Sequence, residues 1–253
     1  MNEAKLKAYL QSEESRAFEG WDFSYLSGRW TSQPLPWNYK TIVQTYLEST
    51  HQLLDMGTGG GEFLLSLGHP HALTAVTEAY PPNVALCRRR LQPLGIKVIE
   101  ADGAGALPFA DASMDIVINR HEDFDADELA RILKPGGVFV TQQVGGRNMN
   151  ALSAKLIGGF VPAYPDHDME SNKAKLEAAG LETLLVDEAL GALRFLDLGA
   201  LVYYAKIIEW EFPGFSVEEC FEALLALKKE LDETGYIEGT EHRLIIAARK
   251  KAQ

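Results

Sequence analysis

From residue 52 onward, apolar and polar positions settle into a rhythm of short apolar runs separated by amphipathic stretches. Runs at 52–56, 72–77, 96–101, 114–119 and 138–142 are brief and aliphatic, the pattern of strands buried on both faces. Helical spacing fills the intervals at 62–67, 81–94 and 125–133, and the second of these opens with Pro81-Pro82, which suits a first helical turn. Alternation of this kind predicts an α/β fold: a mostly parallel sheet with helices on both faces. After residue 145 the pattern loosens. A helix is predicted at 171–179, stopped by Gly180, followed by a strand at 181–188 and a final strand at 242–249. The stretch between those two strands is too long for a turn. It contains two amphipathic helix candidates, one at 195–208 and one beginning at Ser216, where Glu219 completes a capping-box pattern. Cys220, Leu224, Leu227 and Leu231 then share one face.

The first 48 residues differ. They hold Trp21, Trp30 and Trp37 in a polar, Pro-containing context, so their aromatics either pin an arm onto the domain or line a pocket, and packing is the favoured reading. The expected organisation is one domain over 1–253: an aromatic cap at 1–48, a ligand-binding core at 49–145, and a remainder at 146–253 that completes the sheet around a helical insertion at about 190–240.

Composition narrows the classes. The chain has 253 residues with 36 acidic and 24 basic side chains, a net charge of −12. That field repels phosphate backbones and disfavours broad nucleic-acid binding. Ten acids against Lys228 and Lys229 concentrate the excess between residues 209 and 241. Two cysteines, Cys87 and Cys220, make neither a disulfide framework nor a protein-only zinc site. The polar N-terminus lacks a signal-peptide pattern, and no run is long and apolar enough to span a bilayer. The expectation is a cytoplasmic protein, monomeric or homodimeric, without a membrane partner.

The segment Leu53-Leu-Asp-Met-Gly-Thr-Gly-Gly-Gly-Glu-Phe63 ends a buried strand in Asp55, turns on glycines and starts a helix. Glycines permit positive φ and close approach of a ligand to the main chain. Dinucleotide enzymes use a similar turn, but the last position of their G-x-G-x-x-G pattern, counted from Gly57, is Glu62 here. Asp55 suits an ammonium group better than a pyrophosphate. Glu78 ends the next strand, where a carboxylate can accept both hydroxyls of a ribose. A ligand with an amino-acid end and a ribose end satisfies all three; S-adenosylmethionine is one.

Asp55-Met-Gly-Thr-Gly-Gly-Gly61, Glu78, Ala101-Asp-Gly103, Asp115-Ile-Val-Ile-Asn119 and Leu133-Lys-Pro-Gly-Gly137 together resemble the successive motifs of class I S-adenosylmethionine-dependent methyltransferases, over about residues 50–145. The resemblance implies a Rossmann-like, seven-stranded sheet with an antiparallel last strand. It also implies that Asp55, Gly57, Thr58 and Gly59 hold the methionine end of the cofactor and Glu78 its ribose. Asp102 and Gly103 would meet the adenine, with Asn119 beside the sulfonium. Leu107–Asp115 and Glu128–Gly137 resemble the same stretch of the 23S rRNA guanine-N1 methyltransferases, without the cysteine zinc site of that family.

Methyl transfer is an in-line displacement, so placement matters most, and a base is needed only for a hydroxyl, phenol or protonated nitrogen. His121 is the candidate base, because its ordinary pKa lies near neutrality. Tyr25 and Tyr39 are candidates for orienting an acceptor. Asp166-His-Asp168 reads as a surface loop, since adjacent side chains rarely converge on one metal ion; no metal is expected. The leading expectation is a small-molecule acceptor. The alternatives are an rRNA or tRNA base methyltransferase, a S-adenosylmethionine-binding protein without transferase activity, and a nicotinamide dehydrogenase.

Overall fold

A computed structural model describes residues 2–18 and 21–252. Its strands are β1 (Trp30–Ser32), β2 (Leu53–Met56), β3 (Thr74–Glu78), β4 (Lys97–Glu100), β5 (Met114–Arg120), β6 (Leu133–Val144), β7 (Leu181–Phe195) and β8 (Ile237–Lys250). They form one sheet in the order β1-β7-β8-β6-β5-β2-β3-β4. Strands β2 to β6 pair in parallel, and β8 lies antiparallel between β6 and β7. This is the expected seven-stranded Rossmann-like sheet with an antiparallel last strand.

The arm adds what the pattern did not predict. Its β1 pairs antiparallel with the far end of β7, Trp30 opposite Phe195, and makes an eighth strand. The outer pair also runs further than expected. Strands β7 and β8 pair with each other from Leu181↔Lys250 to Phe195↔Ile237, well past the last β6 contact at Val144↔Arg243. Each satisfies the backbone groups of the other there, so no third strand is needed.

Helices α1 (Glu3–Glu14), α2 (Tyr39–Tyr46), α3 (Glu62–Ser66), α4 (Pro81–Arg90), α5 (Ala126–Ile132), α6 (Asn150–Leu156), α7 (Met169–Ala178), α8 (Leu198–Ile207) and α9 (Phe221–Thr234) complete the chain. The helical insertion therefore occupies 196–236. Ser216 Oγ does accept the Glu219 N–H at 3.1 Å, but Cys220 departs from helical geometry, so α9 begins only at Phe221.

Three apolar clusters follow from this layering. One face of the sheet packs Ile116, Ile118, Val76 and Val140 against Val43, Leu64, Cys87 and Leu91 of α2, α3 and α4 and the turn after α4. The other face packs Val117, Phe139 and Ile246 against Leu129 of α5 and Leu176 of α7. The third cluster joins Leu6 and Leu10 of α1, α6, α8 and α9 with the outer ends of β7 and β8. The arm aromatics enter it: Phe23 stacks on Trp30 at 5.8 Å, and Trp30 lies 5.9 Å from Tyr204. Packing, rather than a pocket, accounts for Trp30.

Candidate functional site

Strand β2 ends fully buried at Met56, and the chain turns on Gly57, Gly59 and Gly61 at φ of 60°, 61° and 79°, values that favour glycine. The turn is tied down from three sides. Thr58 N donates to Thr77 O at 3.2 Å, and Thr58 Oγ1 donates to Asp55 Oδ2 at 2.6 Å. Gly59 N donates to Glu78 Oε2 at 2.9 Å, while the Cys87 thiol donates to Gly59 O at 3.0 Å.

Carboxylates gather around this turn. Asp55 is buried, and desolvation raises its pKa to about 7; Glu78 adds repulsion, while the Thr58 hydroxyl and Arg120 oppose the rise. Glu78 is buried at the end of β3. Its Oε1 accepts Ala79 N and Tyr80 N, both at 3.0 Å, and its Oε2 also takes Asn83 Nδ2 at 3.4 Å. Its lone pairs are therefore engaged in shaping the turn. Asp102 is exposed and accepts Ala104 N at 2.9 Å, whereas Gly103 is buried against the backbone of Asp123.

Sequence reasoning passed over Glu122. Its side chain lies in the notch between Gly57 and Gly103: a Cβ on Gly57 would stand 2.6 Å from Glu122 Cβ, and one on Gly103 3.0 Å from Cγ. Oε1 takes a long 3.4 Å bond from Gly103 N. Burial raises its pKa to about 7, and the charges of Glu78, Asp102 and Asp123 add to the rise against the Gly103 bond. An acid just past the fourth core strand was the only signal for it.

Asn119 is fully buried at the end of β5. Its Oδ1 accepts Gln143 Nε2 at 2.8 Å and Thr141 Oγ1 at 3.2 Å, but its Nδ2 donors have no partner among the described residues. Buried donors are seldom left unmade, because each costs about 1–3 kcal/mol. An unsatisfied amide beside two carboxyls held near neutrality fits a ligand carrying both a carboxylate and cationic groups.

Tyr39 stands beside this cleft with its hydroxyl spent on backbone: it donates to Asn119 O at 2.9 Å and accepts Asn119 N at 3.2 Å. Burial, then the Asp55 charge, push its pKa well up, so it remains a neutral clamp on the end of β5. Tyr25 is elsewhere. Its hydroxyl donates to Glu13 at 2.9 Å and its ring packs 4.9 Å from Tyr203, in the cluster between arm and insertion. Both tyrosines, expected to orient an acceptor, thus have their hydroxyls engaged within the protein, Tyr39 on the backbone of Asn119 and Tyr25 on Glu13.

His121 adopts φ 68°, a strained conformation for a non-glycine residue, at the mouth of the cleft. Trp37 Nε1 donates to Gln142 Oε1 at 2.9 Å, which turns Gln142 Nε2 toward His121 Nε2 at 3.3 Å. That nitrogen is then the acceptor, and the proton resides on Nδ1. Crowding by the protein, with the Arg243 and Arg120 charges, keeps the ring well below the ordinary histidine pKa, although the residue retains an exposed surface. His121 is thus neutral with its basic lone pair occupied, a poorer base than its position suggested. Asp168 of the 166–168 loop caps α7 by accepting Ser171 N at 2.8 Å, and no group of potential metal ligands exists among the described residues.

Residues 54–141 match the family described as a methyltransferase domain. Over 117 residues the chain is 32% identical to demethylmenaquinone methyltransferase of Thermus thermophilus, a match covering 42% of this chain and 53% of that protein. The chain thus spans about half the length of the curated relative it matches. The YcgJ protein of Bacillus subtilis superimposes with a TM-score of 0.59 at 17% identity, over 85% of this chain and 98% of that one. A functionally unknown protein of Deinococcus radiodurans gives 0.58 at 15% identity, over 98% and 100%. Identities this low speak for the fold alone.

Proposed function

We propose that this chain, which carries a methyltransferase domain at residues 54–141 within a class I, Rossmann-like fold, is an S-adenosylmethionine-dependent methyltransferase acting on a small molecule. The observation that carries the reading is the cleft at the glycine turn. Its unsatisfied Asn119 amide and the carboxyls of Asp55 and Glu122 complement a ligand with one carboxylate and two cationic centres. When bound, the cofactor supplies a methyl group on a cationic sulfur.

The residues divide the work as follows. Asp55 receives the ammonium and Asn119 Nδ2 the carboxylate of the amino-acid end, with Gly57, Thr58 and Gly59 shaping the backbone against it. Glu78 meets the ribose by giving up its Asn83 bond. Asp102 and Gly103 border the adenine. Glu122 leaves the notch to make room, a side-chain rotation that requires no backbone change. Tyr39 and Gln143 hold Asn119 and the 119–123 segment in place, through bonds to Asn119 and to Glu122 O at 2.8 Å. Transition-state charge on sulfur falls during transfer, so alignment in a water-poor cleft contributes more than charge stabilisation. His121 at the mouth serves as an Nδ1–H donor toward the acceptor rather than as its base.

The small-molecule acceptor is supported by the relative that methylates demethylmenaquinone and by the acid-rich insertion. Calorimetry tests the core claim. S-adenosylmethionine should bind, NAD should not, and D55A should lower S-adenosylmethionine affinity by about tenfold or more, the worth of one charged contact. Unchanged affinity in D55A would remove Asp55 from the site.

A further inference from the structure

Beyond the cofactor cleft, a cavity of about 340 Å³ is lined by Arg147, His167, Asp168, Glu170, Glu188 and His242, with Pro165 and Met169. We propose that this cavity binds the methyl acceptor and that the acceptor is a small molecule bearing an amine, held by Glu188. The proposal rests on the methyltransferase reading above.

The cavity is built around a buried histidine paired with a half-buried glutamate. His242 is 0% exposed on β8 and accepts the Arg147 N–H on Nδ1 at 3.1 Å. Its proton is therefore on Nε2, which donates to Glu188 Oε1 on β7 at 2.6 Å. Arg147 Nη2 donates to the same Oε1 at 3.1 Å. Glu188 Oε1 is thus saturated, whereas Oε2 accepts no hydrogen bond among the described residues. The chain reaches His242 only because residues 145 and 146 are glycines: a Cβ on Gly145 would collide with the His242 ring, and one on Gly146 with the Tyr164 carbonyl.

The cavity and the glycine-turn site are linked through the residues that follow β6. Gln143, two residues before Gly145, holds Asn119 and Glu122; Gly146 N donates to His167 O at 2.7 Å; and His167 lies within the field of Asp123. An acceptor seated here lies alongside the segment that ends β5.

The charges select its class. Both histidines are pushed below the ordinary value, chiefly by burial, and are neutral at neutral pH. Within the lining that leaves one cation, Arg147, already engaged with Glu188, against the carboxylates of Asp168, Glu170 and Glu188; Lys175 and Arg243 act on His167 and His242 without lining the cavity. Such a lining repels carboxylates and phosphates and holds an ammonium at Glu188 Oε2. Before transfer, the ammonium gives one proton to solvent water, which reaches the 25% exposed Glu188 side chain. The nitrogen lone pair then forms the N–CH3 bond as the C–S bond breaks with its electron pair on sulfur.

The test is calorimetric titration of the full chain, loaded with S-adenosylhomocysteine, with putrescine, ethanolamine, glycerol and inorganic phosphate. The amines should bind about tenfold or more tightly than glycerol or phosphate, and E188Q should weaken amine binding by about tenfold while S-adenosylmethionine affinity changes less than about twofold. E188Q keeps an acceptor for His242; should it nonetheless unfold, E170Q on the exposed first turn of α7 should weaken the amines by about threefold. Amines that bind no better than glycerol, or equally well to E188Q or E170Q, overturn the proposal. Failure of the wild-type chain to bind S-adenosylmethionine would instead overturn the methyltransferase reading.

Discussion

Asp55 and Glu122 place two ionisations near neutral pH in one cleft, and the sign of each consequence follows from their raised pKa values of about 7. The folded chain binds more protons than the unfolded chain between the ordinary carboxyl range and pH 7. The stability contribution is therefore fully present below about pH 4 and lost as pH rises through 7. Ligand-free protein should melt at a higher temperature at pH 5 than at pH 8, with a swing of about 1–3 kcal/mol for each group. D55N and E122Q should each flatten that slope and raise the melting temperature at pH 8; identical slopes in wild type and both variants would show that neither carboxyl titrates there. Cofactor affinity should move the opposite way. A cationic ligand needs the ionised carboxylates, so S-adenosylmethionine should bind about tenfold or more tightly at pH 8 than at pH 6, releasing protons measurable as a buffer-dependent binding enthalpy. Asp55 was legible in the sequence because it directly precedes the glycine turn. Glu122 was not, because Gly57 and Gly103, between which it lies, are 46 residues apart and meet only in the fold.

At the level of elements, Arg29 joins three segments distant in sequence. It donates to Asp197 Oδ1 at 2.6 Å and Oδ2 at 2.8 Å, at the N-terminus of α8, and to buried Glu13 of α1 at 3.3 Å. R29M should leave Glu13 short of a partner and cost about 2–4 kcal/mol in denaturant unfolding, with S-adenosylmethionine affinity retained, since the bonds of Arg29 run to α1 and α8 and not to the glycine turn. A loss of affinity matching the loss of stability would instead couple the arm to the cleft. Strands β2, β3, β5 and β6 were legible because a strand covered on both faces is a continuous apolar run, a local signal. The edge strand β1 and the outer halves of β7 and β8 were not. Apart from Leu193, Phe195 and Ile237 their residues are mostly polar, glycine or half-buried, and their strand state comes from the partner each finds across the sheet.

For the molecule as a whole, the −12 charge and the three lining carboxylates of the cavity point the same way. Binding to structured rRNA fragments at physiological salt should be no tighter than the ~10⁻⁴–10⁻⁶ M range of non-specific contacts. Sub-micromolar, salt-sensitive binding would return RNA as the acceptor. The sequence by itself determined the strand–helix order, the glycine turn and the carboxyls at its two flanking strand ends. Those are local: apolar periodicity, positive φ at glycine, and residues within a turn of the backbone that positions them. Only the tertiary structure decided which acids converge, which of them burial raises to a pKa near 7, that Tyr25 packs on Tyr203 while Glu122 lies between Gly57 and Gly103, and that His242 and Glu188 pair over a cavity. Burial and electrostatic environment are sums over neighbours from the whole chain, and no stretch of sequence contains its own neighbours.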